Sequence, residues 1–396
     1  MTEPTITARG SLAGAGLSRE ADTATAARIA CDRALAPLAG ARPNLVAVFA
    51  TPHHWDQAEA MIAVIAGTAS PDRMIGAMTE TVIAEGQEIE EGPAIGIFAA
   101  HLPGAIIVTA HVRAVSGPTG VRLGGNLAFL ETVRTTAPFI VLGDPFTFPV
   151  EHLLADLNAA GRTAIGGLAS GGRGPGEHRL IVDGRVVDSG AVVTAIGGIG
   201  AIPVVSTGCS PIGPDMVITD ADGAVIRELA GALAARQLAS AIATLSPERR
   251  GLAADGILAG LVADENASEY ESGDYVMRGV LGVDNATGEI MVGDRVRVGQ
   301  TLRFHVRDAQ SASDDLKQSL VTARTVLHEP VGGLIFSCNG RGTPMFGKPN
   351  HDADLVHSEI GDVPLVGMFC NGEIGPIAGR NFLHSFTTAI TLFDRS

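Results

Sequence analysis

Short apolar runs, each closing on a polar or glycine-rich loop, recur along this chain at strand length, and three pairs of them bracket a segment of helix length. The first pair is Leu45-Val-Ala-Val-Phe49 and Met74-Ile-Gly76, separated by Thr51 and a helical pattern over 55–66. The second is Phe139-Ile-Val-Leu142 and Ala164-Ile-Gly166, around Asp144 and a helical pattern over 150–158. The third is Leu334-Ile-Phe336 and Leu365-Val-Gly367, around Cys338 and a helical pattern over 353–360. From Thr51, Asp144 and Cys338 to the closing glycines the separations are 25, 22 and 29 residues, which suit a strand-helix-strand unit. No period is strict, so the spacing fits either a threefold internal repeat or the ordinary echo of an α/β composition.

β-rich sequence follows each unit: 94–100 with 105–112, 180–182 with 186–196, and 382–393. The second of these holds Val182-Asp183-Gly184-Arg185-Val186, a hairpin signal in which Asp-Gly supplies the positive φ angles of a tight turn. The pattern predicts an α+β fold, with mixed sheets built from strand-helix-strand-hairpin pseudo-repeats and helices packed outside. Residues 1–40 read as a helical lead-in with Ser18 as N-cap and Glu20 and Asp22 near the positive end of the helix dipole. Residues 275–283 and 289–292 read as a hairpin, 302–306 as a strand, and 313–327 as an amphipathic helix with an acidic first turn. The boundary between two halves, 41–235 and 236–396, falls in an Ala-rich helix near 230–241. No flexible linker lies there, so the halves are expected to pack together.

Charge removes some functions. With 28 Lys+Arg against 43 Asp+Glu the formal net charge is −15, which opposes nucleic acid and anionic membrane as partners. No run approaches the roughly 20 apolar residues needed to span a bilayer, and Met1-Thr-Glu-Pro-Thr-Ile lacks the parts of a secretory signal, so a cytoplasmic location is expected. Cys31, Cys209, Cys338 and Cys370 are widely spaced, with no C-x-x-C pair, which fits a reducing compartment and no structural zinc. His351 and His357 are six apart and no H-E-x-x-H is present, so neither a metal nor another cofactor is expected. The 50 glycines are spread through strand ends and turns, implying tight connections and close packing.

The densest candidate chemistry is in the last third. Phe336-Ser-Cys338-Asn339-Gly340-Arg341-Gly342 and Phe369-Cys370-Asn371-Gly372-Glu373-Ile374-Gly375-Pro376 end the two runs of the third unit, and Phe382-Leu-His384 follows. If both loops face one cleft, the Arg341 guanidinium could grip a carboxylate and Glu373 an ammonium, together clamping a zwitterion such as an amino acid. An internal Arg341–Glu373 ion pair, or two separate solvated charges, would account for the same residues. Backbone N–H groups of 339–342 and 371–372 could add an anion-binding nest. Under the clamp reading, Arg341→Lys is expected to weaken an anionic ligand by about 1.5–3 kcal/mol and to leave the fold intact. A thiol enzyme would instead use Cys338 or Cys370 as nucleophile, with His384 or Glu373 as acid/base. Ser170-Gly-Gly-Arg-Gly-Pro-Gly176 lacks the G-K-[ST] of a phosphate loop and reads as a surface loop, a candidate lid.

These motifs, together with Val363-Pro-Leu-Val-Gly367, Gly14-Ala-Gly-Leu-Ser18 and Met74-Ile-Gly76, resemble the FIST proteins, over nearly the whole chain and most specifically in the C-terminal third. The resemblance implies a FIST N-like half followed by a FIST C-like half, and a sensory domain that binds small ligands, amino acids among them. It brings no catalytic residues. The expected ligand contacts are Cys338, Asn339, Gly340, Arg341, Cys370, Asn371, Gly372, Glu373 and His384. Because the chain ends at Ser396, an output through a separate signalling partner is expected. A cysteine-dependent enzyme and a protein-interaction scaffold are the alternatives.

Overall fold

The computed structural model describes residues 10–395 apart from 118–119, 126, 129–132, 134 and 136. The N-terminal residues read above for a missing signal lie outside the described residues. Each predicted unit forms a parallel strand pair: Leu45–Ala50 with Arg73–Met78, Phe139–Gly143 with Ala164–Leu168, and Pro330–Cys338 with Leu365–Cys370. The crossover helices are Ala58–Ala69, Val150–Ala159 and His351–Ile360. A later strand returns antiparallel beside the first strand of each pair, as Ile95–His101, Ala191–Gly197 and Thr387–Asp394. An earlier strand extends each sheet further, as Leu12–Ser18, Ile106–Gly117 and Gly200–Thr207. The chain therefore contains three copies of one mixed sheet.

Alternation explains the uninterrupted apolar runs. Leu45, Ala47 and Phe49 enter a core shared with Ile140 and Leu142 of the second unit and Leu334 and Phe336 of the third. Val46 and Val48 face the outer helices instead. Both faces are covered, so these strands need no polar positions. The closing glycines have a common cause. A Cβ at Gly76, Gly166 or Gly367 would lie 2.1, 1.9 or 1.7 Å from the carbonyl oxygen of Val48, Val141 or Ile335 on the paired first strand. Only glycine fits at this position in all three copies.

The hairpin after each unit is not kept by that unit. Val82–Ala84 and Gln87–Ile89, from the first, extend the sheet of the third through Leu365–Cys370. Leu180–Val182 and Arg185–Val187, from the second, extend the sheet of the first through Arg73–Met78. Glu373–Ile377 and Arg380–His384, from the third, extend the sheet of the second through Ala164–Leu168. The exchange is cyclic, and it brings the three second-strand ends together. Thr79 Oγ1 lies 2.9 Å from Ser170 Oγ, and both hydroxyls donate to the Phe369 carbonyl, at 2.8 and 2.7 Å.

Between the opening strand and the first paired strand, the third unit carries an insertion. Strands Cys209–Asp222, Thr301–Arg307, Ile257–Val262, Tyr275–Val283, Ile290–Val292 and Val225–Leu229 pair in that order, and the last pairs again with the first, closing a six-stranded ring. The N-terminal lead-in differs from expectation. Leu12–Ser18 is a strand, and the helix Thr23–Leu35 is capped by Asp22, whose Oδ2 accepts from the Thr25 N–H at 2.9 Å. Its small residues are the reason: a Cβ at Gly14 or Gly16 would meet the Ala34 or Ala30 carbonyl oxygen at 2.2 or 2.0 Å, so the glycines let that helix lie directly on the strand.

Candidate functional site

Pro330–Cys338 and Leu365–Cys370 run parallel and in register, so Cys338 stands opposite Cys370 at their C-terminal ends. The loops after them do meet: Asn339 Nδ2 donates to Asn371 Oδ1 at 2.9 Å, and the Asn339 N–H donates to the Cys370 carbonyl at 3.0 Å. Cys338, Asn339 and Gly340 are half-buried, and Arg341 and Glu373 are fully buried. The opening strand of the inserted barrel approaches from the other side, where a Cβ at Gly208 would lie 3.1 Å from Arg341 Nη1.

Arg341 is not the free half of a clamp. Its Nε and Nη2 donate to Asp352 Oδ2 and Oδ1, at 2.8 and 2.7 Å, in a bidentate pair. Asp352 also accepts from Ser337 Oγ at 2.5 Å and Thr388 Oγ1 at 2.8 Å, and it lies 2.9 Å from His351 Nδ1. Burial alone would raise the Asp352 carboxyl, but the Arg341 charge and these bonds hold it well below the usual carboxylate range. The expectation that Arg341→Lys leaves the fold intact is therefore corrected, since the variant would break a buried bidentate pair. One nitrogen, Nη1, remains without a hydrogen-bond partner.

Glu373 occupies the strand position filled by Leu180 in the second hairpin and Val82 in the first, because all three face equivalent residues of the recipient strand. A carboxyl at an apolar position is raised well above its usual range by burial, against the pull of the Thr387 N–H, Arg341 and Cys338. Oε2 accepts from the Thr387 N–H at 3.2 Å, and Oε1 makes no hydrogen bond. The cluster thus holds two unpartnered buried atoms, a guanidinium donor and a carboxyl oxygen, near the half-buried Cys338 and Gly340.

Phe386 packs against Gly340, where a Cβ would lie 2.8 Å from its ring. Its backbone φ of 62° is a strained value for an aromatic residue. Neither thiol is activated. Burial, then the Glu373 charge, pushes Cys338 well above the ordinary thiol range. Cys370 is buried in the core against Gly167 and is raised by burial as well. Gly372 pairs through its carbonyl with the Leu168 N–H, and Asn371 Nδ2 donates to the Ala169 carbonyl, so both brace the inter-unit junction. His384 lies across from Glu373 in the hairpin, but its Nε2 donates to the Gly375 carbonyl at 2.9 Å, and burial lowers it to about 4. The glycine-rich loop is held elsewhere, with Gly171 against Pro52 and Trp55, and the Gly172 N–H donating to His178 Nε2 at 3.1 Å. Among the described residues no group of three or more His, Cys, Asp or Glu is arranged to hold a metal.

A model of the FIST N domain matches residues 44–232, and a model of the FIST C domain matches 230–376. The chain belongs to the FIST family. FIST domains are sensory, ligand-binding modules. The chain is 39% identical over 385 residues to Uncharacterized protein Rv0628c of Mycobacterium tuberculosis, covering 96% of this chain and 99% of the other. It is 38% identical over 388 residues to Uncharacterized protein Mb0898c of Mycobacterium bovis, covering 96% and 98%. A shorter stretch of 88 residues is 31% identical to the F-box/LRR-repeat protein At5g63520 of Arabidopsis thaliana, covering 21% of this chain and 17% of that one.

In this FIST protein the sequence reading missed Asp352, Ser337, Thr387, Thr388 and Phe386. Asp352 had one visible signal, its place beside Asp354 in the first turn of a helix, where an acid ordinarily complements the dipole. Here the carboxylate turns inward to the preceding strand and loop.

Proposed function

We propose that this FIST protein senses a small zwitterion of the amino-acid class, bound between Arg341 Nη1 and Glu373, with Cys338 and Gly340 at the entrance. The observation that carries this reading is a buried guanidinium nitrogen and a buried carboxyl oxygen, both without hydrogen-bond partners, in one cluster. Unpaired groups of this kind cost free energy unless a ligand completes them. A carboxylate would take the remaining guanidinium N–H, and an ammonium would take Glu373. Output passes through a separate signalling protein.

Burial raises the Glu373 carboxyl well above its usual range, and an ammonium bound there would favour the ionised form, so binding is expected to be linked to proton release. Titration calorimetry of the full chain against the common amino acids, in buffers of different ionisation enthalpy, tests this directly. The expected result is saturable binding by at least one of them, with net release of protons. Glu373→Gln should weaken it tenfold or more, in line with about 1.5–3 kcal/mol for a charge-assisted hydrogen bond. Absence of binding, or equal affinity in the folded variant, overturns the reading.

A further inference from the structure

Three clefts lie where an exchanged hairpin meets the helix of the unit that receives it. One, of about 510 Å³, joins Ile83 and Glu85 of the first hairpin to Asp354 and His357 on His351–Ile360. A second, of about 520 Å³, joins Arg380 and Phe382 of the third hairpin to Glu151 and Asn158 on Val150–Ala159. The last, of about 490 Å³, joins the second hairpin to Glu59 on Ala58–Ala69. The recurrence follows from the topology. The linings do not.

The 490 Å³ cleft gathers Arg113, Arg179 and Arg185, with His111, in a chain whose net charge is −15. Glu59 and Asp188 also line it, yet among the described residues none of these three arginines forms an ion pair. Some other arginines are paired, as Arg73 is with Asp183, Arg227 with Asp220 and Arg278 with Asp294. Arg179 is held in place, its Nη1 donating to the Gly176 and His178 carbonyls at 2.6 and 2.9 Å. His111 is fixed by the Ser189 carbonyl, 2.7 Å from its Nε2. Gly190, at φ 80°, makes room for both His111 and Arg113, since a Cβ there would lie 3.1 Å from His111 Nε2 and 3.0 Å from Arg113 Cγ.

We infer that this cleft is a second binding site, for a small multivalent anion bearing phosphate or carboxylate groups. Three guanidiniums on two elements present several paired N–H donors to one space, the geometry that recognises such oxygens. A cleft of about 490 Å³ is of small-molecule size, and the overall charge of the chain disfavours a polyanion. Guanidiniums left unpaired across a cleft repel one another, and a bound anion relieves that repulsion.

Pyrophosphate, inorganic phosphate and citrate, titrated calorimetrically into the full chain at low and moderate salt, test the inference and separate the two oxygen chemistries. Saturable binding of pyrophosphate or citrate, weakened by salt and at least tenfold weaker in the Arg113→Gln/Arg185→Gln double variant, is expected. Both residues are exposed, so that variant should keep the wild-type melting temperature. Glu373→Gln should leave this binding unchanged, which keeps the test independent of the amino-acid site. No saturation by any of the three anions, or equal affinity in the double variant, would overturn the inference.

Discussion

At the scale of single residues, the buried Arg341–Asp352 pair decides what the site can be. An isolated guanidinium in this position would be too costly to bury, and four side chains make five contacts with the carboxylate to make burial tolerable: Arg341 twice, Ser337, Thr388 and His351. Removing one partner strands the other charge. Asp352→Asn is therefore expected to destabilise the fold by about 3–5 kcal/mol at pH 7, measured by urea unfolding. The pH dependence has a definite sign. Asp352 titrates lower in the folded than in the unfolded chain, so its contribution is full above the ordinary aspartate range and declines as pH falls through acid. Wild type and variant should thus converge as pH drops from 5 towards 2. A constant gap between them would show that the pair's charge is not the source of its effect.

At the scale of elements, the exchanged hairpins act as covers for their neighbours. Glu88, on the first hairpin, accepts from the Asp352 and Ala353 N–H groups at 2.9 and 3.1 Å, and so caps the crossover helix of the third unit. Burial, followed by the nearby Asp352 charge, pushes it up to about 7. A carboxyl raised on folding contributes most below its unfolded value and loses that contribution as pH rises through the folded one. Between pH 4.5 and 7 the loss amounts to about 3 kcal/mol at most. Glu88→Gln keeps an acceptor for the helix and removes the titration. The stability difference between variant and wild type should therefore move in the variant's favour from pH 5 to pH 8, and parallel profiles would refute the cap's buried charge. The elements themselves were legible because their causes are local: apolar strand runs buried on both faces, and glycines where an added Cβ would lie 1.7–2.1 Å from a carbonyl oxygen. The exchange was not legible, because Gly166 pairs with Ile374 and Met368 with Val82, contacts that no local pattern encodes. The two loops of the third unit meet through Asn339 and Asn371, and the pairing of Arg341 with Asp352 was not foreseen.

At the scale of the whole molecule, cyclic exchange is expected to make the two FIST domains fold as one unit. The boundary at 235/236 cuts through Ala234–Ala243 and divides the barrel, leaving Cys209–Asp222 on one side and its partner Thr301–Arg307 on the other. Gly200–Thr207 would lose its pairing to Thr387–Asp394, along eight residue pairs. The second unit would lose the hairpin Glu373–Ile377, and the third would lose both Val82–Ala84 and the cap from Glu88. Each half would then expose unpaired edges and apolar core face, the surfaces on which strands aggregate. Expressed alone, residues 1–235 and 236–396 are expected to be insoluble or to lack a cooperative melt, whereas co-expression should recover a complex with the secondary structure of the intact chain. The shared core gives the reason: Phe49, Leu142 and Phe336, one from each unit, belong to the same buried cluster, so no unit completes its interior without the other two. Two soluble fragments, each melting independently, would show that the exchange is decoration on separately stable domains.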